Sequence, residues 1–501
     1  MNLTSLLRPY FLRRVAAARS YASDPERIQR AELSRMIEAG ADTLWGRKHR
    51  YSLLNRYEYY REAVELSPYE SIRPLVMRMI GGERDVLWPG LTRRFAQSSG
   101  TSDGKSKYIP ITREGLQRSH FRGASDVVSH YLSLYPDSQI FDGKSFILGG
   151  SFANELELPV KSRVRVGDLS ANLIDTVNPL VRLLRVPSKK IALMSDWREK
   201  LPMLAEAASR CNVTNISGVP SWFLGVLREI LRLRGASHIH DIWPRLEVFF
   251  HGGIAFSPYR GLYDEIIDPT RMRYMETYNA SEGFFALQDT TEPGAMLLLL
   301  DAGTFYEFAD INRPDAMPLP AWEVEKGKTY SLIITSCNGL WRYPIGDTVK
   351  IESVSPLRVS IAGRTKHFIN AFGEEVMVHN TDAALATACR NTGASVLNYT
   401  AAPVYATDKH HGRHEWLIEF DHEPADLEHF ASILDAALCR ENSDYQAKRA
   451  GSIFLDRLTI VKARKGTFDR WLASTGKLGG QRKVPRLSND RTIMESMLKF
   501  K

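Results

Sequence analysis

The 501-residue chain has only four cysteines, Cys211, Cys337, Cys389 and Cys439. They are widely scattered, with no CxxC and no paired metal spacing, so a disulfide scaffold and a cysteine zinc site are excluded and reduced structural thiols are expected. Long apolar runs are also missing. Stretches such as Ala295 to Leu300 are strand-sized, far short of a bilayer crossing, so no membrane partner is expected. There is no internal repeat, no low-complexity segment and no Lys/Arg block: 66 basic residues are interleaved with 58 acidic ones for a formal charge of +8. With no RNA-binding signature either, nucleic acid is not the expected partner, and the mild positive excess suits anionic small substrates.

Acidic residues are absent from Met1 to Ser23, which carries Arg8, Arg13, Arg14 and Arg19 in the manner of an organelle presequence. The stretch runs directly into ordinary helical sequence, so it is read as a basic-faced first helix and a cytoplasmic location is expected. His410, His411 and His414 are close in sequence, but a histidine-rich turn of this kind is expected to face solvent and not to hold a metal.

One further absence decides a motif. The segment SSGTSDGKSKYIPIT, Ser98 to Thr112, resembles a phosphate loop, yet only Thr101, Ser102 and Asp103 separate Gly100 from Gly104-Lys105-Ser106. A Walker loop needs four residues there and a helix after it. Here the β-branched, proline-containing Lys107 to Thr112 reads as a strand. What remains is a turn of small hydroxyls and backbone N–H groups able to wrap an anion.

The content that is present, 44% hydrophobic and 25% charged, is that of a folded globular chain long enough for two or more domains. Asp24-Pro25-Glu26 opens a helix whose apolar face is Leu33, Met36, Ile37 and Leu44. From about residue 140 short apolar strands alternate with helices: Ser145 to Leu148, the helix Trp222 to Leu233, Leu246 to Phe250 and Arg273 to Tyr278. This is an α/β pattern.

Near Ala295 the pattern becomes antiparallel β. Met296 to Leu300 and Thr304 to Phe308 are expected to pair across Asp301-Ala302-Gly303, and Tyr330 to Cys337 pairs with Leu340 to Tyr343 across Asn338-Gly339. Asp347 follows in a Gly346-Asp347 turn. Gly363-Arg364-Thr365-Lys366 marks a boundary between a large domain, 1–362, and a small α+β domain, 363–501. The small domain has strands at Glu415 to Phe420 and Leu458 to Val461, a helix around Leu427 to Arg440, and a basic, loop-like tail from Lys465 to Arg486.

Taken in order, SSGTSDGKSKYIPIT, FFHGGIAFSPY (Phe249 to Tyr259), ETYNASEGFF (Glu276 to Phe285), LWRYPIGDTV (Leu340 to Val349), ARKGTFD (Ala463 to Asp469) and KVPR (Lys483 to Arg486) resemble the GH3 family of acyl-acid amido synthetases, within the adenylate-forming enzymes. The resemblance runs from about Glu83 to the C-terminus. It implies the adenylate-forming α/β fold, with a large N-terminal domain and a small, mobile C-terminal α+β domain. It implies ATP as substrate and Mg²⁺ as cofactor, with a small carboxylic acid and an amino acid or other amine as the remaining partners, in a monomer or weak homo-oligomer.

The resemblance assigns Ser98, Ser99, Gly100 and Thr101 to the ATP phosphates, and Thr277, Tyr278 and Ser281 to the lining of the nucleotide site. Glu282 would help hold Mg²⁺, the alternative being a helix-capping glutamate. Asp347 would accept hydrogen bonds from the ribose hydroxyls, a role suited to a carboxylate with two oxygens. Arg364 would reach the ribose or α-phosphate. Lys483 would meet the reacting carboxylate and α-phosphate, where added negative charge makes a placed ammonium effective; Lys462, Lys465 and Lys477 are competitors. Phe305 stands where the family often has tyrosine.

The implied activity is AMP-forming ligation: the acid attacks the α-phosphate of ATP, pyrophosphate leaves, and an amine takes the acyl group. The alternatives are an acyl-CoA ligase using the same acyl-adenylate and a non-catalytic nucleotide- or nucleic-acid-binding protein.

Overall fold

The computed structural model describes the chain outside residues 1, 55, 99–106, 153–155, 157–162, 255, 257–258, 314, 365–367, 408–410, 453–454, 475–483 and 501. For residues 180, 221, 363, 364, 379, 452 and 473 only the backbone is described.

In chain order the strands are β1 (Arg94–Ser98), β2 (Lys107–Pro110), β3 (Lys144–Ile147), β4 (Arg165–Gly167), β5 (Arg185–Val186), β6 (Val213–Gly218), β7 (Val248–Gly252) and β8 (Arg273–Ala280). They continue as β9 (Gly283–Leu287), β10 (Met296–Leu298), β11 (Thr304–Asp310), β12 (Leu319–Pro320), β13 (Thr329–Ser336), β14 (Leu340–Val354) and β15 (Leu357–Arg364). The C-terminal part adds β16 (Phe368–Ile369), β17 (Val376–Met377), β18 (Ser395–Val404), β19 (Arg413–His422) and β20 (Thr459–Ala463).

One large sheet has the order β12-β11-β13-β14-β15-β10-β9-β8-β7-β6-β3-β5. Its β5, β3, β6, β7 and β8 run parallel, and from the β8–β9 pair onward it is antiparallel. Helices such as Pro220–Arg234 occupy the connections of the parallel half, as crossovers require. Strands covered on both faces are apolar throughout. In β7, Val248 and Phe250 enter the core shared with the antiparallel half, while Phe249 enters the core under Phe223 and Tyr263. A separate small sheet, β2-β1-β4, carries the ends of the SSGTS segment.

The helical lead-in is built into this body. Asp24 accepts from Arg27 N–H to cap the helix Pro25–Gly40, whose Leu33, Met36 and Ile37 are buried as the 3.6-residue period requires. On the same helix, Gln29 donates to the carbonyls of Leu300 (2.6 Å) and Thr304 (3.0 Å) and accepts from Tyr306 N–H (2.9 Å). The basic N-terminal stretch is a helix, Leu3–Ala18, and its Arg14 spans Asp126 (2.8 Å) and Asp301 (3.1 Å).

Asp301 thereby corrects the expected Met296–Phe308 hairpin. Asp301 gathers Arg14, Arg122 and Tyr21, and β10 and β11 do not pair: β10 inserts between β9 and β15, whereas β11 pairs with β12 and β13. The Asn338-Gly339 hairpin between β13 and β14 is present, with Gly339 at φ 80° beside Leu87. Gly346-Asp347 is not a turn but lies inside β14. There Ile345, Gly346 and Asp347 oppose Leu332 between the pairs Ser331–Thr348 and Ile333–Pro344, and Gly346 takes the positive φ of 95° that this bulge demands.

In the C-terminal part β18 pairs antiparallel and β20 parallel with β19, covered by the helices Val378–Thr392 and Leu427–Glu441. Their apolar faces join the core that also covers β6 and β7. Across this contact Lys448 Nζ lies 3.8 Å from the Trp222 ring centroid, and Tyr259 donates to the Ala371 carbonyl at 2.5 Å. His414 departs from the expected solvent-facing turn. It is fully buried on β19 and bonded at 2.8 Å to Glu374, which also accepts from the Ala371 and Phe372 N–H groups. The tail is partly helical, with Thr467–Ser474 packing Phe468 and Trp471 against Met494 and Met497.

Candidate functional site

The segments singled out in the sequence converge where the sheet changes from parallel to antiparallel. Thr277 and Tyr278 stand on β8 and Asp347 on β14, and Tyr278 donates to Asp347 Oδ2 at 2.6 Å. Both are buried, Asp347 to 8% exposure. A carboxylate oriented by a phenol has the two-oxygen geometry that suits a vicinal diol. Thr277 donates to the His251 carbonyl at 3.0 Å, tying β8 to the His251-Gly252-Gly253 turn at the end of β7. A Cβ on Gly252 would lie 2.4 Å from the Thr277 carbonyl oxygen, so only glycine permits this approach.

Ser281 and Glu282 form the two-residue link between β8 and β9. No helix begins there, which removes helix capping as the role of Glu282; its residue is 7% exposed. A residue read in the sequence only as half of a hairpin turn fixes this link. Asn338 donates to the Glu282 carbonyl (3.0 Å) and accepts from Thr112 N–H (3.1 Å), while Thr112 Oγ donates to the Cys337 carbonyl (2.7 Å). The end of the SSGTSDGKSKYIPIT segment and the Glu282 turn are therefore held by one buried amide.

Ser98 closes β1 opposite Lys107, the first residue of β2. Lys107 donates to Tyr343 Oη at 3.3 Å and lies 5.8 Å from the ring centroids of both Tyr69 and Tyr343, so aromatic faces steady the start of β2. Ser99, Gly100, Thr101 and Lys483 lie outside the described residues. Arg364 is described through its backbone, which pairs with Asp347 across β14 and β15. Ser98, Thr277, Tyr278, Ser281, Glu282 and Asp347 thus reach the same region from β1, β8, the β8–β9 link and β14.

Behind the site, Arg342 and Glu307 form a two-armed pair, both bonds 2.9 Å, with Arg342 4% and Glu307 1% exposed. Arg342 adds bonds to the Arg61 and Val64 carbonyls, and Tyr57 donates to Glu307. Full hydrogen bonding offsets the desolvation of this pair. It fastens β11 and β14 to the lead-in helices and so fixes the strand that carries Asp347. Phe305 packs its ring against Tyr57 and Trp322.

Comparison with known proteins agrees with this architecture. The models of the GH3 family N-terminal, central and C-terminal domains match residues 14–272, 297–364 and 379–492. The chain is 22% identical to the probable indole-3-acetic acid-amido synthetase GH3.1 of Arabidopsis thaliana over 99% of this chain and 95% of that protein. It is 23% identical to the jasmonoyl–L-amino acid synthetase GH3.5 of Oryza sativa subsp. japonica over 93% of each.

Among solved structures, the AtGH3.15 acyl acid amido synthetase in complex with 2,4-DB superposes with a TM-score of 0.62 at 16% identity, covering 97% of this chain and 95% of that one. The 2-hydroxyisobutyryl-CoA ligase in complex with 2-HIB-AMP and CoA superposes with a TM-score of 0.57 at 14% identity, covering 95% and 92%. At these identities the likeness is one of fold, the adenylate-forming α/β fold with a large N-terminal and a smaller C-terminal part. With family models spanning its N-terminal, central and C-terminal parts, the chain belongs to the GH3 family.

Proposed function

We propose that the protein is an ATP-dependent acyl-acid amido synthetase, an AMP-forming carbon–nitrogen ligase that activates a carboxylic acid as its acyl-adenylate and transfers the acyl group to an amino acid or other amine. The observation that carries this reading is the Tyr278–Asp347 bond between β8 and β14, with the neighbouring Glu282 carbonyl held by Asn338 of the β13–β14 turn. Its partners are small molecules. Among the described residues no helix is long and apolar enough to cross a membrane.

A carboxylate is a poor acyl donor because its leaving group would be oxide. Attack by one of its oxygens on the α-phosphate of ATP expels pyrophosphate and leaves AMP as a competent leaving group. In this reading Asp347, oriented by Tyr278, accepts the ribose hydroxyls, and Thr277 and Ser281 line the nucleotide. Ser98, Ser99, Gly100 and Thr101 wrap the phosphates with hydroxyls and N–H groups. Arg364, adjacent in register to Asp347, reaches the ribose or α-phosphate, and Lys483 offsets the charge that builds as the acid attacks.

Glu282 is the residue that would hold Mg²⁺. No group of three or more His, Cys, Asp or Glu suited to a metal is found among the described residues, which fits an ion bound by one carboxylate and the substrate's own phosphates. When bound, Mg²⁺ neutralises phosphate charge and improves pyrophosphate as a leaving group. In this reading the chain divides into 1–362 and 363–501 with Arg364 at the hinge, and rotation of the small domain between the two half-reactions would let one pocket serve both. The protein would act as a monomer or weak homo-oligomer.

The test is the choice of acceptor. With an acid that supports pyrophosphate release, hydroxylamine and amino acids are expected to yield hydroxamate and amide, and coenzyme A no thioester. Thioester formation in preference to amide would overturn the reading.

A further inference from the structure

His251 and Glu276 are register partners on the parallel strands β7 and β8, and so present side chains to one face of the sheet. Phe249 shares that face with His251, and Tyr274 with Glu276. Phe256 closes the wall, stacked on His251 at 4.5 Å between ring centroids and set against Tyr274 at 4.6 Å. The position is the carboxyl end of the parallel strands, beside Thr277, where open α/β sheets bind their ligands.

Among the described residues, neither the Glu276 carboxylate nor His251 Nδ1 finds a partner. The Glu276 carboxylate has no hydrogen-bond or ion-pair partner among the described residues, and burial pushes its carboxyl above the usual carboxylate range. Arg260, the cation packed on this wall 4.4 Å from the Tyr274 centroid, is already bonded to Asp264 at 3.0 Å. His251 is 4% exposed and its Nδ1 has no partner among the described residues; burial and then Arg260 lower it to about 3, so the ring is neutral. A half-buried carboxylate without a counter-charge is costly and calls for a ligand that supplies one. An ammonium does so with three donors and a charge that aromatic faces favour.

We propose that Glu276, with His251 beside it, is the recognition point for an ammonium group carried by a substrate, an inference that rests on the amido-synthetase reading. Such a group can belong to the amine acceptor or to an acid that itself bears an amine. The experiment compares the unaltered protein with Glu276→Gln and Glu276→Asp in two arms. One arm measures pyrophosphate release with acids that carry or lack an amino group; the other measures transfer from the adenylate to amino acids and to hydroxylamine, which is uncharged at neutral pH.

A charge-assisted bond of this kind is worth roughly 10- to 100-fold. If the acceptor is the ligand, Glu276→Gln loses that factor in amide formation alone, hydroxamate formation and pyrophosphate release persist, and Glu276→Asp recovers part of it. If the acid is the ligand, the loss falls on pyrophosphate release with amino-bearing acids and spares the others. Both results support the site, and the persisting reaction shows that the variant is folded. Glu276→Gln equal to the parent in both arms would overturn this inference alone, whereas no pyrophosphate release by the unaltered protein with any acid would overturn the reading beneath it.

Discussion

Tyr278 donates its phenolic proton to Asp347 Oδ2 at 2.6 Å, and this bond joins β8, at the change of sheet direction, to the bulged middle of β14. Tyr278→Phe keeps the ring's packing on Phe285 and removes the hydroxyl that makes the bond. About 1 kcal/mol of orientation is lost, so KM for ATP in pyrophosphate release rises about fivefold with little change in melting temperature. Asp347→Ala has the larger effect. An unchanged KM in both variants would remove Asp347 from nucleotide binding.

Asn338 carries a second prediction. Asn338→Ala removes its bonds to the Glu282 carbonyl and the Thr112 N–H, at a cost of about 1–3 kcal/mol for a buried group left unpaired. Chemical denaturation reads the loss, and pyrophosphate release is expected to fall with it because the Glu282 turn is released. Gly115→Ala strikes the same place from the other side, since its Cβ would lie 1.8 Å from Asn338 Oδ1.

Glu307 and Arg342 test the frame. Removing one partner, as in Arg342→Met, strands a buried charge and is expected to cost about 3–5 kcal/mol, whereas Glu307→Leu with Arg342→Met recovers much of that. Unfolding free energies of the two single variants and the double variant form the cycle. Additive losses would show that the two residues act independently.

The buried histidines give a pH dependence of known sign. Burial lowers His251 to about 3 and His120 to about 4, so once the pH falls below the unfolded value near 6.5 the unfolded chain binds more protons than the folded one. The stability these rings contribute is therefore present above pH 6.5 and lost toward the folded values, by up to about 1.4 kcal/mol per pH unit for each ring. Glu276, raised by burial, has the opposite sign: its contribution is present at low pH and lost as the pH rises. Comparison with His251→Phe isolates the histidine. The variant should lose less stability than the parent between pH 6.5 and 5, and an equal loss would contradict the assignment.

The element types were largely legible in the sequence because periodicity and turn chemistry are local. The cap at Asp24, the Asn338-Gly339 hairpin and the helix over Leu427–Glu441 all follow from neighbouring residues. Partner choice between strands is not local. Asp301-Ala302-Gly303 reads as a hairpin turn, but Asp301 is drawn to Arg14, Arg122 and Tyr21, and β10 inserts beside β15, whose sequence lies some sixty residues on. The same holds at the site. Thr277, Glu282 and Asp347 were found through their resemblance to family motifs, while the bracing role of Asn338 and the register of His251 with Glu276 depend on how distant strands align. Gly346 could have signalled the bulge, since a glycine inside an otherwise β-rich run marks such places.

The central claim is adenylation, and pyrophosphate release measured across a panel of carboxylic acids tests it most directly. With ATP and Mg²⁺, at least one acid is expected to drive release with matching AMP formation once an amine is added, and Ser99→Ala and Asp347→Ala are expected to reduce it roughly 10-fold or more. Release that does not depend on the acid, or ADP and phosphate formed in place of AMP and pyrophosphate, would contradict the account.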